Sequence, residues 1–378
     1  MKLIHLSDLH LGKRVNQFSM LEDQTFILKQ ILAIIDAEKP DAVLIAGDVY
    51  DTPQPPVAAV EILDDFLTQL AERKIQTFII SGNHDSPERL SFGSRLMKLS
   101  GIHIAPVYTG CVEPFMLSDE YGSVAVYMLP FVKPAVVHSV FQDAEIHSYT
   151  DAVKIAIDAM HIDTNVRNVL VAHQFVTGAF QAGSEELVIG GLDNVESYVF
   201  EGFDYVALGH IHGAQKAGKD SIRYCGTPLK YSFSEANDEK SVLVIELENK
   251  GTVQTRTIPL KPLHDMREIK GSYEELTLKK NYEGQNTQDY VHITLTDEED
   301  VIDAVAKLRV IYPNLMKLDY DNTRTRSGTQ IIENLSEVQT SSPIDLFMEF
   351  FKACNGKDMS DEQKEYVQNK IDKIWSEA

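Results

Sequence analysis

Cysteine is scarce in this chain: Cys111, Cys225 and Cys354 are the three in 378 residues, and no pair has CxxC spacing. That excludes a disulfide framework and a zinc ribbon, and it fits a reducing compartment. Long apolar runs are lacking too. None reaches the roughly 20 residues that a membrane-spanning helix needs. The opening Met1-Lys2-Leu3-Ile4-His5-Leu6-Ser7-Asp8 turns polar too soon for a signal peptide, so the cytoplasm is the expected compartment. No internal repeat and no low-complexity segment is present. Positive charge is also short, with 35 Lys and Arg against 57 Asp and Glu, a formal net charge of -22. This argues against a chain that grips nucleic acid by charge alone, because phosphate neutralisation needs clustered Lys and Arg. Two features soften the objection. Many of the acids lie in the C-terminal third, and bound divalent cations would reverse the field at a carboxylate-rich site.

What is present is ordinary globular composition, 43% hydrophobic and 24% charged, in a chain long enough for two or three domains. The first half alternates strand and helix signals. Apolar runs at 2–6, 42–46 and 76–80 read as buried strands, and helical spacing predicts helices over 22–38 and 57–73. Further strands are predicted at 124–129, 168–172, 205–208, 241–247 and 253–259. This alternation implies an α/β sheet with covered faces. From His264 the style changes. A strand at 289–295, an amphipathic helix over 297–310 with Ile302, Val305 and Leu308 inward, and a strand at 315–320 suffice for a small α+β domain. The expected organisation is 1–262, 263–330, a linker at 331–342 in a polar stretch that begins near Asp321, and a helical pair at 343–378. In that pair Phe347, Phe350, Phe351 and Cys354 sit at helical spacing. Ser360 and Gln363 form a capping box, and Val367, Ile371, Ile374 and Trp375 follow.

The chemistry-bearing residues fall in order at strand ends: Asp8-x-His10, Gly47-Asp48-x-x-Asp51, Gly82-Asn83-His84-Asp85, His173, and Gly209-His210-x-His212. In open α/β sheets, ligand sites gather where strands end. Any one of these motifs alone reads as a turn, surface polarity or a satisfied buried histidine. Together they converge on one site of imidazoles, carboxylates and one amide oxygen, without thiolate. That donor set suits manganese, iron or zinc. The donors are too many for one ion, and two ions about 3.5–4 Å apart would use them all, activating a water and neutralising charge on a scissile phosphate. A further His near the leaving oxygen would act as general acid or orient the phosphate.

The order of these motifs resembles the calcineurin-like metallophosphoesterase superfamily, and within it the bacterial nuclease subunits that process DNA ends. His5–Gly12, Ile79–Ser86, Val206–His212 and Tyr224–Glu235 carry the likeness, which is firm over about residues 1–260. The resemblance implies a β-sandwich flanked by helices, a small α+β capping domain that contacts DNA, and the C-terminal helical pair. It assigns Asp8, His10 and His212 to one ion, and Asn83, His173 and His210 to the other, with Asp48 bridging. His84 becomes the catalytic histidine outside the ligand set, and Asp51 and Asp85 fix neighbouring imidazoles. It further implies manganese, 3′→5′ exonuclease and hairpin endonuclease activity, and an ATPase partner with a long coiled coil. Two nuclease subunits join two ATPases, and the helices after Pro343 dock on that partner. Lys13, Arg14, Arg89, Arg95 and Lys98 are candidate phosphate contacts, and Tyr224–Glu235 is expected to shape the site floor. The competing readings are a phosphomonoesterase or protein phosphatase on the same scaffold, and a non-catalytic scaffold. Thr52-Pro53 after Asp51 and Asp85 after His84 stand where phosphatases of this superfamily carry Arg-Gly and Glu.

Overall fold

A computed structural model describes residues 1–177, 179, 194–326, 343–355 and 358–376. The expected linker at 331–342 lies outside these residues, as do the side chains of Cys354, Ile374 and Trp375. The chain divides into two compact units, Met1–Arg267 and Glu268–Ala378.

The first unit is a sandwich of two six-stranded sheets. One sheet runs Val253–Pro259, Ser241–Leu247, Lys2–Leu6, Ala42–Ala46, Gln76–Ile80, Ile102–Ile104. The other runs Gln215–Ala217, Lys219–Tyr224, Tyr205–Gly209, Arg167–His173, Gly122–Leu129, Phe115–Asp119. The expected α/β architecture, a β-sandwich flanked by helices, is what forms. Between the sheets Leu3, Leu44, Ala46, Phe78 and Ile80 meet Val126, Val169, Val171, Tyr205 and Ala207. Because strand side chains alternate, the intervening Ile4, Val43, Ile45 and Ile79, equally buried, point to the other face of their sheet. That explains why these strands read as unbroken apolar runs. Helices Leu21–Glu38 and Val57–Glu72 bury Ile27, Ile31, Leu63 and Phe66. Helices Pro134–Val140 and Tyr149–Asp158 bury Val137, Val153 and Ala156 against the second sheet.

Pairing direction is what positions the site. Lys2–Leu6, Ala42–Ala46 and Gln76–Ile80 are mutually parallel, and so are Arg167–His173 and Tyr205–Gly209. Their C-terminal ends release Asp8, Asp48, Asn83, His173 and His210.

A three-stranded sheet, Met266–Gly271, Tyr290–Leu295, Leu315–Tyr320, starts at the unit boundary and otherwise lies in the second unit, packed through Val291, Ile293 and Leu295 onto Leu308 and Tyr312. Here one expectation fails. The helix expected over 297–310 is only Ala304–Arg309, because Asp303 takes a left-handed φ of 54° and starts it late. Ala304 and Leu308, four apart, form its buried face, whereas Ile302 is 78% exposed and Val305 is also exposed. The polar stretch after Asp321 is structured at its start, since Asn322 is buried and its side-chain amide donates to the Asp297 carbonyl. The C-terminal helices are Pro343–Asn355 and Asp361–Ser376. The second starts on the capping box, with the Ser360 N–H donating to Gln363 Oε1 at 2.9 Å and the Gln363 N–H to Ser360 Oγ at 3.3 Å.

Candidate metal centre

Four non-glycine motif residues sit at positive φ: Asp8 (51°), His10 (44°), Asp48 (47°) and His210 (104°). Each such backbone costs on the order of 1–3 kcal/mol and persists only where the surroundings hold it. Here the strand ends hold it, with the Asp8 N–H donating to the Gly47 carbonyl and the His10 N–H to the Asp48 carbonyl. The glycines of the motifs make room for close approach. A Cβ at Gly47 would overlap the His173 ring, one at Gly82 would overlap Asp48, and one at Gly209 would overlap the Ala46 carbonyl and His173.

The structure brings all eight predicted ligand and catalytic residues into one cluster. Asp8, His10 and His212 place ligand atoms within 4.8 Å of one another, as do Asp8, Asp48 and His173, and also His10, Asp48 and His84. Asn83 Oδ1 lies 2.9 Å from His173 Nε2 and 3.0 Å from His210 Nδ1. Asp48 Oδ2 lies between the two groups, 3.3 Å from His173 Nε2 and 3.7 Å from His10 Nε2. Its Oδ1 accepts from the His84 N–H at 2.9 Å.

The donor chemistry fits cations. His173 Nδ1 lies 2.8 Å from the Ala46 carbonyl, which only accepts, so that nitrogen carries the proton. Nε2 then faces two further acceptors, Asn83 Oδ1 and Asp48 Oδ2. His10 Nε2 and His212 Nε2 face each other at 3.2 Å. Such a convergence of oxygens and imidazole nitrogens is stable only with protons or cations among them. Burial pulls the His173 imidazole down, but Asp48 and Asp8 outweigh it and hold it protonated up to about 9. A divalent cation would replace that proton. Burial likewise pulls His10 down to about 4 and His210 to about 3, keeping them neutral as ligands must be. Asp8 is pushed up, chiefly by burial.

Around the cluster, Asp51 Oδ1 lies 3.3 Å from His10 Nδ1 and accepts from Lys13 Nζ at 2.7 Å. Asp85 does not meet an imidazole, contrary to expectation. Its carboxylate accepts the N–H groups of Gly82, Val49 and Tyr50, pinning the Gly82 turn to the loop after Asp48. His84, a fifth exposed, is the most open imidazole of the cluster. Its Nδ1 donates to the Asp51 carbonyl at 3.0 Å, and Nε2 is 4.0 Å from Asp48 Oδ2. Of the candidate phosphate contacts, Lys13 is engaged with Asp51 and lies over the Tyr231 ring. Arg14 donates to the Gln17 carbonyl, and Arg89, Arg95 and Lys98 are at least partly exposed.

Several supporting residues escaped the sequence reading. Gln24, on the first turn of its helix, donates to the His10 carbonyl at 2.7 Å and to the Tyr231 hydroxyl at 3.0 Å. The Tyr231 hydroxyl donates to the Leu9 carbonyl. Glu235 and Lys240 stand behind His212. Only Tyr231 and Glu235 had a signal, their place in the conspicuous Tyr224–Glu235 stretch, which here braces the site as the Thr227 N–H donates to the His212 carbonyl.

A helix-flanked double sheet with five parallel strands, three in one sheet and two in the other, ending at a shared carboxylate and imidazole cluster is the architecture of a metallophosphoesterase. Residues 1–214 match the calcineurin-like phosphoesterase family, and residues 262–355 match the family described as Type 5 capsule protein repressor C-terminal domain, SbcD_C. The chain is 34% identical over 378 residues to the SbcD subunit of the SbcCD nuclease from Staphylococcus epidermidis, covering 98% of this chain and 97% of that one. It is 33% identical over 380 residues to the same nuclease subunit from Staphylococcus saprophyticus subsp. saprophyticus, covering 100% and 98%. The chain belongs to the calcineurin-like phosphoesterases and, within them, to the SbcD family of nuclease subunits.

Proposed function

We propose that this chain is the nuclease subunit of an SbcCD-type complex. It hydrolyses DNA phosphodiesters as a 3′→5′ exonuclease on duplex ends and as a hairpin endonuclease, in replication and recombination. The observation that carries this reading is the buried convergence of Asp8, His10, Asp48, Asn83, His173, His210 and His212 with no missing ligand. Asp8, His10 and His212 would hold one divalent ion, and Asn83, His173 and His210 the other, with Asp48 shared between them. Manganese is the metal we expect. When bound, the ions supply water activation and neutralise charge on the phosphate.

The chain's own residues do the rest. Asp51 orients the His10 ring, and the Ala46 carbonyl orients His173. His84 spends Nδ1 on the Asp51 carbonyl, so Nε2 faces the substrate. From there, with the ring protonated on both nitrogens, Nε2 gives its proton to the leaving oxygen as the water oxygen bonds to phosphorus and the P–O bond breaks, and the proton shed by the water returns the ring to its doubly protonated form.

The ATPase SbcC is the proposed partner. Phe347, Phe351, Met359, Tyr366 and Val367 line an apolar groove of about 330 Å³ between the C-terminal helices, a surface suited to a helix laid into it. A homodimer within a heterotetramer is proposed from a second patch. Phe92, Leu96 and Leu99 are 84%, 75% and 87% exposed on the turns directly after the Gly82–Asp85 motif, and exposed apolar clusters of this kind mark interfaces. Among the described residues no helix is long and apolar enough to cross a membrane.

A labelled hairpin duplex tests the function, with metals varied and SbcC plus ATP present or omitted. Manganese-dependent opening of the hairpin is expected. Cleavage of a phosphopeptide with the hairpin untouched would turn the reading to a protein phosphatase, and an intact hairpin under every condition would turn it to a scaffold.

A further inference from the structure

The two imidazoles that face each other across the candidate site are backed in the same way. Behind His10, Asp51 Oδ1 is 3.3 Å from Nδ1, and Lys13 Nζ is 2.7 Å from that oxygen. Behind His212, Glu235 Oε1 is 3.5 Å from Nδ1, and Lys240 Nζ is 2.6 Å from the other carboxylate oxygen, Oε2. Lys240 Nζ also donates to the His212 carbonyl at 3.0 Å, gripping the same residue at its backbone. Glu235 is fully buried, and Lys240 is nearly so. A buried carboxylate and ammonium are costly to desolvate and are a weak source of stability, so their placement behind a ring calls for a role beyond packing. The other proposed ligand whose Nδ1 is turned away from the cluster, His173, is backed by a neutral backbone carbonyl.

We propose that Glu235, held by Lys240, is a positioning residue that fixes His212 as the Nδ1–H tautomer and keeps its Nε2 lone pair on the metal shared with Asp8 and His10. The assignment rests on the metal-site reading above. A carboxylate on the far nitrogen orients a metal-bound imidazole and raises its basicity, and losing it costs about 10–100-fold in metal affinity. The lysine adds a directional element. In Glu235→Gln the amide oxygen stays with Lys240, so the NH₂ group turns to Nδ1. His212 is then driven to the Nε2–H tautomer, which carries a proton where the metal belongs.

The test uses the full chain without partner. Manganese binding is followed by the loss of the free-ion paramagnetic resonance signal, and the His212 tautomer by ¹H–¹⁵N correlation of the metal-free protein. Wild type should bind two ions and show His212 protonated at Nδ1. Glu235→Gln should melt below wild type, because it leaves the Lys240 ammonium buried beside a neutral amide, and in the temperature range where it is folded it should weaken one ion by about 10–100-fold while the other is unchanged, and show His212 protonated at Nε2. Lys240→Arg, which keeps the charge, should retain both ions. Glu235→Gln that binds both ions as wild type does, while His212→Ala loses one, overturns the positioning role alone. His212→Ala that keeps both ions overturns the metal-site reading and the inference with it. Should Glu235→Gln fail to fold, the wild-type tautomer decides, and an Nε2 proton on His212 overturns the proposal.

Discussion

His84 differs from its neighbours in how its nitrogens are spent. Its Nδ1 is committed to the Asp51 carbonyl, its ring stands edge-on to His10 with centroids 4.8 Å apart, and its Nε2 is the most distant of the imidazole nitrogens paired with Asp48. His84→Gln should therefore keep both ions by metal analysis while turnover falls by about 10²–10⁴-fold; loss of an ion would place His84 in the ligand set. Gly209 makes a second residue-scale case. A Cβ there meets backbone at Ala46 and the Nδ1 edge of His173, neither of which can swing away. Gly209→Ala should cost about 1–3 kcal/mol as an overpacked site does, seen as a lower melting temperature, and weaken the ion proposed for His173. These residues show how far the sequence is legible. Asp, His and Asn after apolar runs announced the residues that cluster, and Gly before them announced turns. The packing of Gly47 and Gly209 on His173 was not legible, because it joins strand ends from both sheets. Asp85 misled for a related reason: a carboxylate next to a metal motif suggests an imidazole partner, but three backbone N–H groups reach it first.

At the level of elements, the strand Arg167–His173 carries the proposed ligand His173 at one end and Arg167 at the other. Seven residues at about 3.3 Å each put roughly 20 Å between them. Arg167 pairs with Asp119 on the edge strand of its own sheet at 3.1 Å and donates to the carbonyls of Leu247 and Glu248 at the end of a strand of the other sheet, so one buried guanidinium ties the two sheets together. Removing one partner of such a pair costs about 3–5 kcal/mol. Asp119→Asn should lower stability by that order in chemical denaturation and leave manganese binding intact, which separates the clamp from the chemistry. The pH dependence follows from the same contact. The Arg167 guanidinium holds the Asp119 carboxyl well below the usual carboxylate range. A depressed folded pKa stabilises above the unfolded value, near 4, and the gain drains away as pH falls below it. The metal-free wild type should lose this stability below about pH 4, and the variant should show a flatter acid limb. Strands buried on both faces were easy to read because nothing interrupts their apolar runs. The helix near 300 was not, because Ile302 and Val305 fit a helical stripe that the left-handed Asp303 cuts off.

The whole molecule carries a formal charge of -22, which opposes DNA at long range, and the candidate site concentrates further carboxylates where phosphate must come. Metal ions reverse the field only locally. Lys13, the basic residue nearest the cluster in sequence, is already paired with Asp51. The isolated subunit should thus grip a duplex weakly and lose that grip early as salt rises, and the basic surface that holds the duplex should come from the partner. That makes the route by which the partner attaches decisive for activity on DNA. The groove of Phe347, Phe351, Met359, Tyr366 and Val367 belongs to two helices in the second unit, whereas every proposed ligand lies before residue 213, in the first. Deleting residues 343–378 should therefore abolish co-purification with SbcC and the hairpin opening that depends on it. Manganese stoichiometry and hydrolysis of a small phosphodiester such as bis(p-nitrophenyl) phosphate should stay at wild-type levels. Co-purification that survives the deletion would move the docking surface elsewhere. Loss of small-diester hydrolysis would mean that the helices support the catalytic unit itself.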